Sequence, residues 1–133
     1  MNTVNLENLD LVCAKLGKTI AANPSKDLEN LITNALAVLE EQGVYALFLF
    51  LKSRLKSRDS SEAEGIIKKL HDFLKKNPQQ APLVGDSADD IFTSLQPMAE
   101  DIDKLLLARD LIRQALVYAR YHARVQEKGE VRA

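Results

Sequence analysis

The sequence predicts an all-α protein, a compact single-domain bundle of about five or six helices with a long C-terminal helix. Three observations carry this. Apolar residues recur at spacings of three and four through almost every segment. Leu, Ala, Lys and Glu dominate, Trp is absent and aromatics make up only 5% of the chain, a composition that suits helices and not a β-sandwich or barrel. The one continuous apolar run, Val44 to Leu51, has no second strand-like segment with which to pair.

The first helix is expected from about Asn5 to Ala22, with Leu6, Leu9, Val12, Cys13, Leu16 and Ile20 along one face, and Asn23-Pro24 ends it. Ser25 is placed to cap a second helix whose stripe is Leu28, Leu31, Ile32, Ala35, Leu36 and Leu39. Gly43 then breaks or kinks the chain. Val44 to Leu51 reads as a mostly buried helix continuing into Lys52 to Arg58. After a turn at Asp59-Ser60, Ser61 and Glu64 have the form of a capping box. The helix they open carries Ile66, Ile67, Leu70, Phe73 and Leu74 inward and Lys68, Lys69, Asp72, Lys75 and Lys76 outward, up to Asn77-Pro78. An irregular loop follows to Gly85. Ser87 suits the cap of a short helix through Leu95, and Pro97 suits the first turn of a last helix reaching about Gln126, with a frayed tail from about residue 128.

A length of 133 residues and 46% apolar content fit one domain, residues 1–133, able to bury a core without metal or disulfide. The single cysteine, Cys13, forms no internal disulfide and reads as a small core residue, which points to a reducing, cytoplasmic home. The longest apolar run is far short of the ~20 residues that span a bilayer, so no membrane partner is expected.

The net charge of −1 hides blocks of alternating sign. Residues 52–76 hold eight bases and four acids, residues 86–103 hold six acids and no base, and residues 104–133 hold seven bases and three acids. Such patterning lets one face meet a polyanion while another meets a basic protein.

Motifs that carry chemistry are missing. His71 and His122 have no companion ligand at metal spacing, and there is no phosphate loop, nucleophile elbow or Cys-x-x-Cys pair. The acids Asp86, Asp89, Asp90, Glu100, Asp101 and Asp103 do not match an EF-hand, and acids at a helix start are expected on structural grounds. The reading is therefore a non-enzyme with no cofactor, metal or small-molecule substrate. His122 falls among Leu107, Leu111, Ala115, Tyr118 and Val125 on the last helix, as a packed histidine would. Ala108, Ala115, Ala119 and Ala123 share that side, where small side chains admit a neighbouring helix of the same chain.

The most informative pattern is Arg109, Arg113, Arg120 and Arg124, at wheel angles of about 0°, 40°, 20° and 60°. Four guanidiniums along roughly 23 Å of helix form a stripe suited to phosphate contact without sequence readout. A solvated helix face, with a local Asp110–Arg113 pair, is the alternative. Lys52, Arg54, Lys56 and Arg58 form a second basic segment, which on a continuous helix would spread over two sides of the cylinder.

Two stretches resemble a known family. Residues 31–54, LITNALAVLEEQGVYALFLFLKSR, resemble the helix, glycine and apolar-helix core of the small subunit of type III CRISPR effector complexes of the Cmr kind. Residues 105–124, ending in Tyr118-Ala-Arg-Tyr-His-Ala123-Arg124, are similar to that family's last helix. The resemblance covers about a third of the chain and omits the acidic stretch Asp86 to Asp103. It implies a non-catalytic subunit of an RNA-guided antiviral complex. Such a subunit stacks with copies of itself along the backbone subunits and helps hold guide and target RNA. By position, Arg109, Arg113, Arg120 and Arg124 face the RNA first, and Lys52, Arg54, Lys56 and Arg58 second. The competing reading is a helical adaptor or regulator that binds only protein.

Overall fold

In the computed structural model, which describes residues 8–85 and 90–132 with side chains to Val125, six helices pack around one core and no strand occurs among the described residues. They are α1 (Leu9–Ile20), α2 (Lys26–Gln42), α3 (Val44–Ser53), α4 (Ser60–Lys76), α5 (Ile91–Ala99) and α6 (Ile102–Arg132). A 3-10 turn, Arg54–Lys56, links α3 to α4. The predicted fold class and long last helix are present.

α6 is the common wall of the bundle, with α1, α2, α3 and α5 packed against it, while α4 closes the other side against α1, α2 and α3. The core is mainly aliphatic. Leu39, Leu47, Phe48, Leu51, Leu70, Leu74, Ile112 and Leu116 are all fully buried, and each such side chain contributes on the order of 1.5–3 kcal/mol relative to exposure.

Local chemistry sets the element ends. Asn8 accepts from Leu11 N at 3.0 Å to open α1, which closes at Ile20, before the Ala22 that periodicity suggests; its predicted first turn lies outside the described residues. Ser25 Oγ accepts from Leu28 N at 3.0 Å, as its position predicts. Gly43 takes φ 98°, the left-handed half of the map, which lets α2 end and α3 begin with no intervening loop.

Val44 to Leu51 is helical as expected, with six of its eight residues buried or half-buried and two exposed. Val44, Leu47, Phe48 and Leu51 face the core, while Tyr45 and Leu49 are exposed. Several expectations need correction. That helix stops at Ser53, because the Arg54 guanidinium folds back on the Asp59 carboxylate (Nε–Oδ1 3.3 Å, Nη2–Oδ2 3.2 Å) and tightens the link into a 3-10 turn. The capping box is not used: α4 starts at Ser60 with Asp59 at the cap position, and Ser61 Oγ donates to Glu62 instead. Ser87 lies outside the described residues, and the cap of α5 is Asp90, whose Oδ2 accepts from Thr93 N at 3.3 Å and Thr93 Oγ1 at 3.2 Å. Pro97 belongs to α5 and not to α6. Asp101 opens α6, its Oδ1 accepting from Asp103 N (3.1 Å) and Lys104 N (3.3 Å). The backbone of α6 stays helical to Arg132, past the point at which fraying is predicted.

The proline-rich loop does structural work at the end of α4. The backbone N–H groups of Leu83 and Val84 donate to Leu74 O at 3.1 and 3.2 Å, satisfying a helix-end carbonyl while both side chains enter the core.

Candidate nucleic-acid interface

The alanine face of α6 meets α1. Ala108, Ala115, Ala119 and Ala123 are fully buried, and a Cβ built on Gly17 would lie 2.6 Å from Tyr118 Cβ, 2.8 Å from Ala119 N and 2.9 Å from Ala115 O. Two helical backbones come this close only where both present minimal side chains. Asp10 bolts the same joint from outside, its Oδ1 accepting from Tyr118 Oη at 2.8 Å and Gln114 Nε2 at 3.1 Å. The hydrogen bond to Asp10 raises the Tyr118 pKa, because the phenol proton is held by a carboxylate. Cys13 Sγ lies 3.4 Å from Leu111 O, and burial, together with the Asp10 charge one turn away, pushes its thiol up to about 11.

The arginine stripe sits along the edge of α6 that faces α2, and part of it is engaged there. Arg124 Nε donates to Glu29 Oε2 at 2.7 Å, Arg113 Nε lies 3.5 Å from Glu40 Oε1, and Arg109 Nη2 donates to the Glu40 carbonyl at 3.3 Å. Arg120 is half-buried, and its Nε has no hydrogen-bond partner among the described residues. The expected local pair of Arg113 with Asp110 is replaced by the cross-helix pair with Glu40, because the arginine leans toward α2. The four residues do lie on one line. They form a seam between two helices with outward-facing remainders: the side chains of Arg113 and Arg124 are each 47% exposed.

The second basic segment is dispersed by the 3-10 turn. Lys52 Nζ lies over the Phe92 ring at 5.8 Å, Arg54 is bound to Asp59, Arg58 pairs with Asp27 at 3.2 Å, and Lys56 is exposed. No helix face unites these four residues.

All four ion pairs among the described residues are made by arginines, Arg54, Arg58, Arg113 and Arg124, and none by a lysine. The accessible cations therefore include Lys15, Lys69 and Lys76, which sequence reasoning left out of the site. The signal for two of them is the i, i+7 spacing of Lys69 and Lys76 on α4, but Lys15 joins them only through the packing of α1 on α4.

His71 is buried, its Nε2 2.9 Å from Ser94 Oγ, and so holds α4 to α5. His122 is half-buried, but its neighbour Val125 is 69% exposed, so the apolar face predicted around it is only partly covered. Among the described residues no group of three or more His, Cys, Asp or Glu side chains is arranged to hold a metal ion, and no helix is long and apolar enough to cross a membrane.

This geometry offers two surfaces on which a polyanion can rest, the outer edge of the α2–α6 seam and the lysine-bearing side of α1 and α4, both on an all-helical frame. Comparisons of the chain with protein-family models, with curated proteins and with solved structures find no match.

Proposed function

We propose that this protein is the non-catalytic small subunit of a type III, Cmr-like, RNA-guided CRISPR effector complex. In this reading it stacks with copies of itself along the backbone subunits in the cytoplasm and helps hold guide and target RNA in antiviral defence. One observation carries the reading most. The two stretches that resemble the family, residues 31–54 and 105–124, fold against each other as α2, α3 and α6, and the arginine row runs along the edge where α2 and α6 meet. The resemblance thus falls on one contiguous unit and not on unrelated parts of the chain.

The engagement of Arg113 and Arg124 by Glu40 and Glu29 favours a second reading, a helical adaptor without RNA binding, in which these arginines serve only to join helices. Salt separates the two. A phosphate-binding subunit binds single-stranded RNA with an affinity that falls steeply between about 50 and about 200 mM salt, whereas an adaptor shows no RNA binding in that range. Capture of the protein by Cmr-type backbone subunits assembled on guide RNA tests the rest. Failure to join that complex overturns the subunit reading.

A further inference from the structure

α1 and α4 lie side by side and leave a groove of about 470 Å³ between them. Its floor is apolar, formed by Val12, Leu16 and Phe73, and its rim carries Lys15, Lys69 and Lys76 with a single acid, Asp72. Lys15 and Lys76 are unpaired among the described residues, and Lys69 donates only to the backbone carbonyl of Thr19 at 3.2 Å, which keeps its charge unneutralised. Lys18 and Lys68, both exposed, follow the same two helices.

Three ammonium groups beside one carboxylate make a local excess of positive charge that the fold leaves uncompensated. Elsewhere Arg54, Arg58, Arg113 and Arg124 each stand opposite a carboxylate. Lys69 and Lys76 are two turns apart, about 10 Å along α4, so the charge is distributed along the groove and not focused on a point. Lysine is a point charge on a flexible stem, suited to following a chain of phosphates whose spacing varies, and its methylenes continue the apolar floor on which sugars and bases can lie. An extended polyanion matches both features.

We infer that the α1–α4 groove is a binding site for the sugar-phosphate backbone of single-stranded RNA, held by Lys15, Lys69 and Lys76 and distinct from the arginine seam on the far edge of α6. The inference rests on the RNA-binding reading above and adds to it a second holding surface. Contact is to phosphate, so binding is indifferent to base sequence.

The test measures binding of a fluorescent, unstructured RNA of about 20 nucleotides at about 50 and about 200 mM salt. It compares the parent protein, a groove variant (Lys15→Glu, Lys69→Glu, Lys76→Glu) and a seam variant (Arg109→Gln, Arg113→Gln, Arg124→Gln). Because Lys69 also holds Thr19, the double variant Lys15→Gln, Lys76→Gln accompanies the set, and circular dichroism confirms each fold. The groove variant is expected to bind about tenfold or more weaker, with a log-log salt slope flatter by about 0.7 per lost contact, and the double variant to shift in the same direction. Groove variants that bind like the parent while the seam variant loses affinity overturn the groove and leave the RNA-binding reading standing. No RNA binding by the parent overturns both. Poly-glutamate serves as the remaining arm: if groove variants lose poly-glutamate binding but keep RNA binding, the groove takes an acidic protein segment and the inference fails.

Discussion

Arg124 of α6 donates from Nε to Glu29 Oε2 at 2.7 Å, tying the far end of the last helix to the first turn of α2. Glu29 is only 12% exposed, so its carboxylate needs polar partners more than a surface acid would, and Arg124 supplies one of them. A double-mutant cycle with Arg124→Gln and Glu29→Gln is expected to give a coupling of about 0.5–1 kcal/mol in urea unfolding, the upper part of the range for exposed pairs. Arg124→Glu sets two carboxylates together and should destabilise by more than Arg124→Gln. Equal stability of those two variants would show that the pair is unimportant. For this reason charge reversal of the stripe confounds folding with binding, and neutral substitutions are the better probe.

Gly17→Ala should reverse the usual sign of a glycine-to-alanine change in a helix. At an open helical site alanine is favoured by up to about 1 kcal/mol. Here the new methyl meets the Ala119 N and Ala115 O backbone atoms of α6 inside 3 Å, and backbone cannot rotate away. We expect a net loss of roughly 1–3 kcal/mol, measured as a lower denaturation midpoint. Gly65→Ala is the matched control: nothing lies within 4 Å of its Cβ, so stability should be equal or greater.

Phe48→Asp should abolish the cooperative thermal transition, because a carboxylate would replace a ring with no exposure to solvent. The neighbouring Leu49→Asp, on the exposed side of the same helix, should melt close to the parent. Loss of folding in both variants would mean that α3 is rotated.

The Cys13 thiol gives a pH signature. An unfolded cysteine ionises near about 8.5, whereas the folded thiol keeps its proton to about 11. Between these values the native state binds more protons than the unfolded state, so the contribution is intact below about pH 8.5 and is lost as pH rises toward 11. The parent should therefore lose more stability than Cys13→Ala between about pH 8 and 10. Alkylation of the thiol in the native protein should proceed only as fast as unfolding exposes it.

Much of the fold is legible because helix periodicity is local. The stripe of α2 matches its buried residues in full, that of α4 matches except that Ile67 is half-buried while Ala63 and His71 are also buried, and Ser25 caps where it should. Element ends are less so when a competing partner decides them. Arg54 takes Asp59, which converts an expected continuous helix into a 3-10 turn, and Asp101 starts α6 beyond Pro97, which belongs to α5. The arginine row is legible as a row, since a wheel gives its angles. Its pairing with Glu29 and Glu40 is not, since that depends on α2 running beside α6 across a separation of some 70 to 95 residues. Lys15 and Lys76 share a groove for the same kind of reason: no sequence window contains both.

The joint between Gly17 and the alanines of α6 has a consequence for the order of assembly. Cys13 meets Leu111 and Asp10 meets Tyr118, separations of 98 and 108 residues. During synthesis α1 therefore leaves the ribosome long before the helix that covers its inner face exists. Closing so long a loop costs chain entropy before any contact rewards it, so α1 docks late, after α2, α3 and α4 have gathered through their short links. A nascent chain stalled before residue 108 should hold those three helices together while Cys13 still reacts with a thiol reagent.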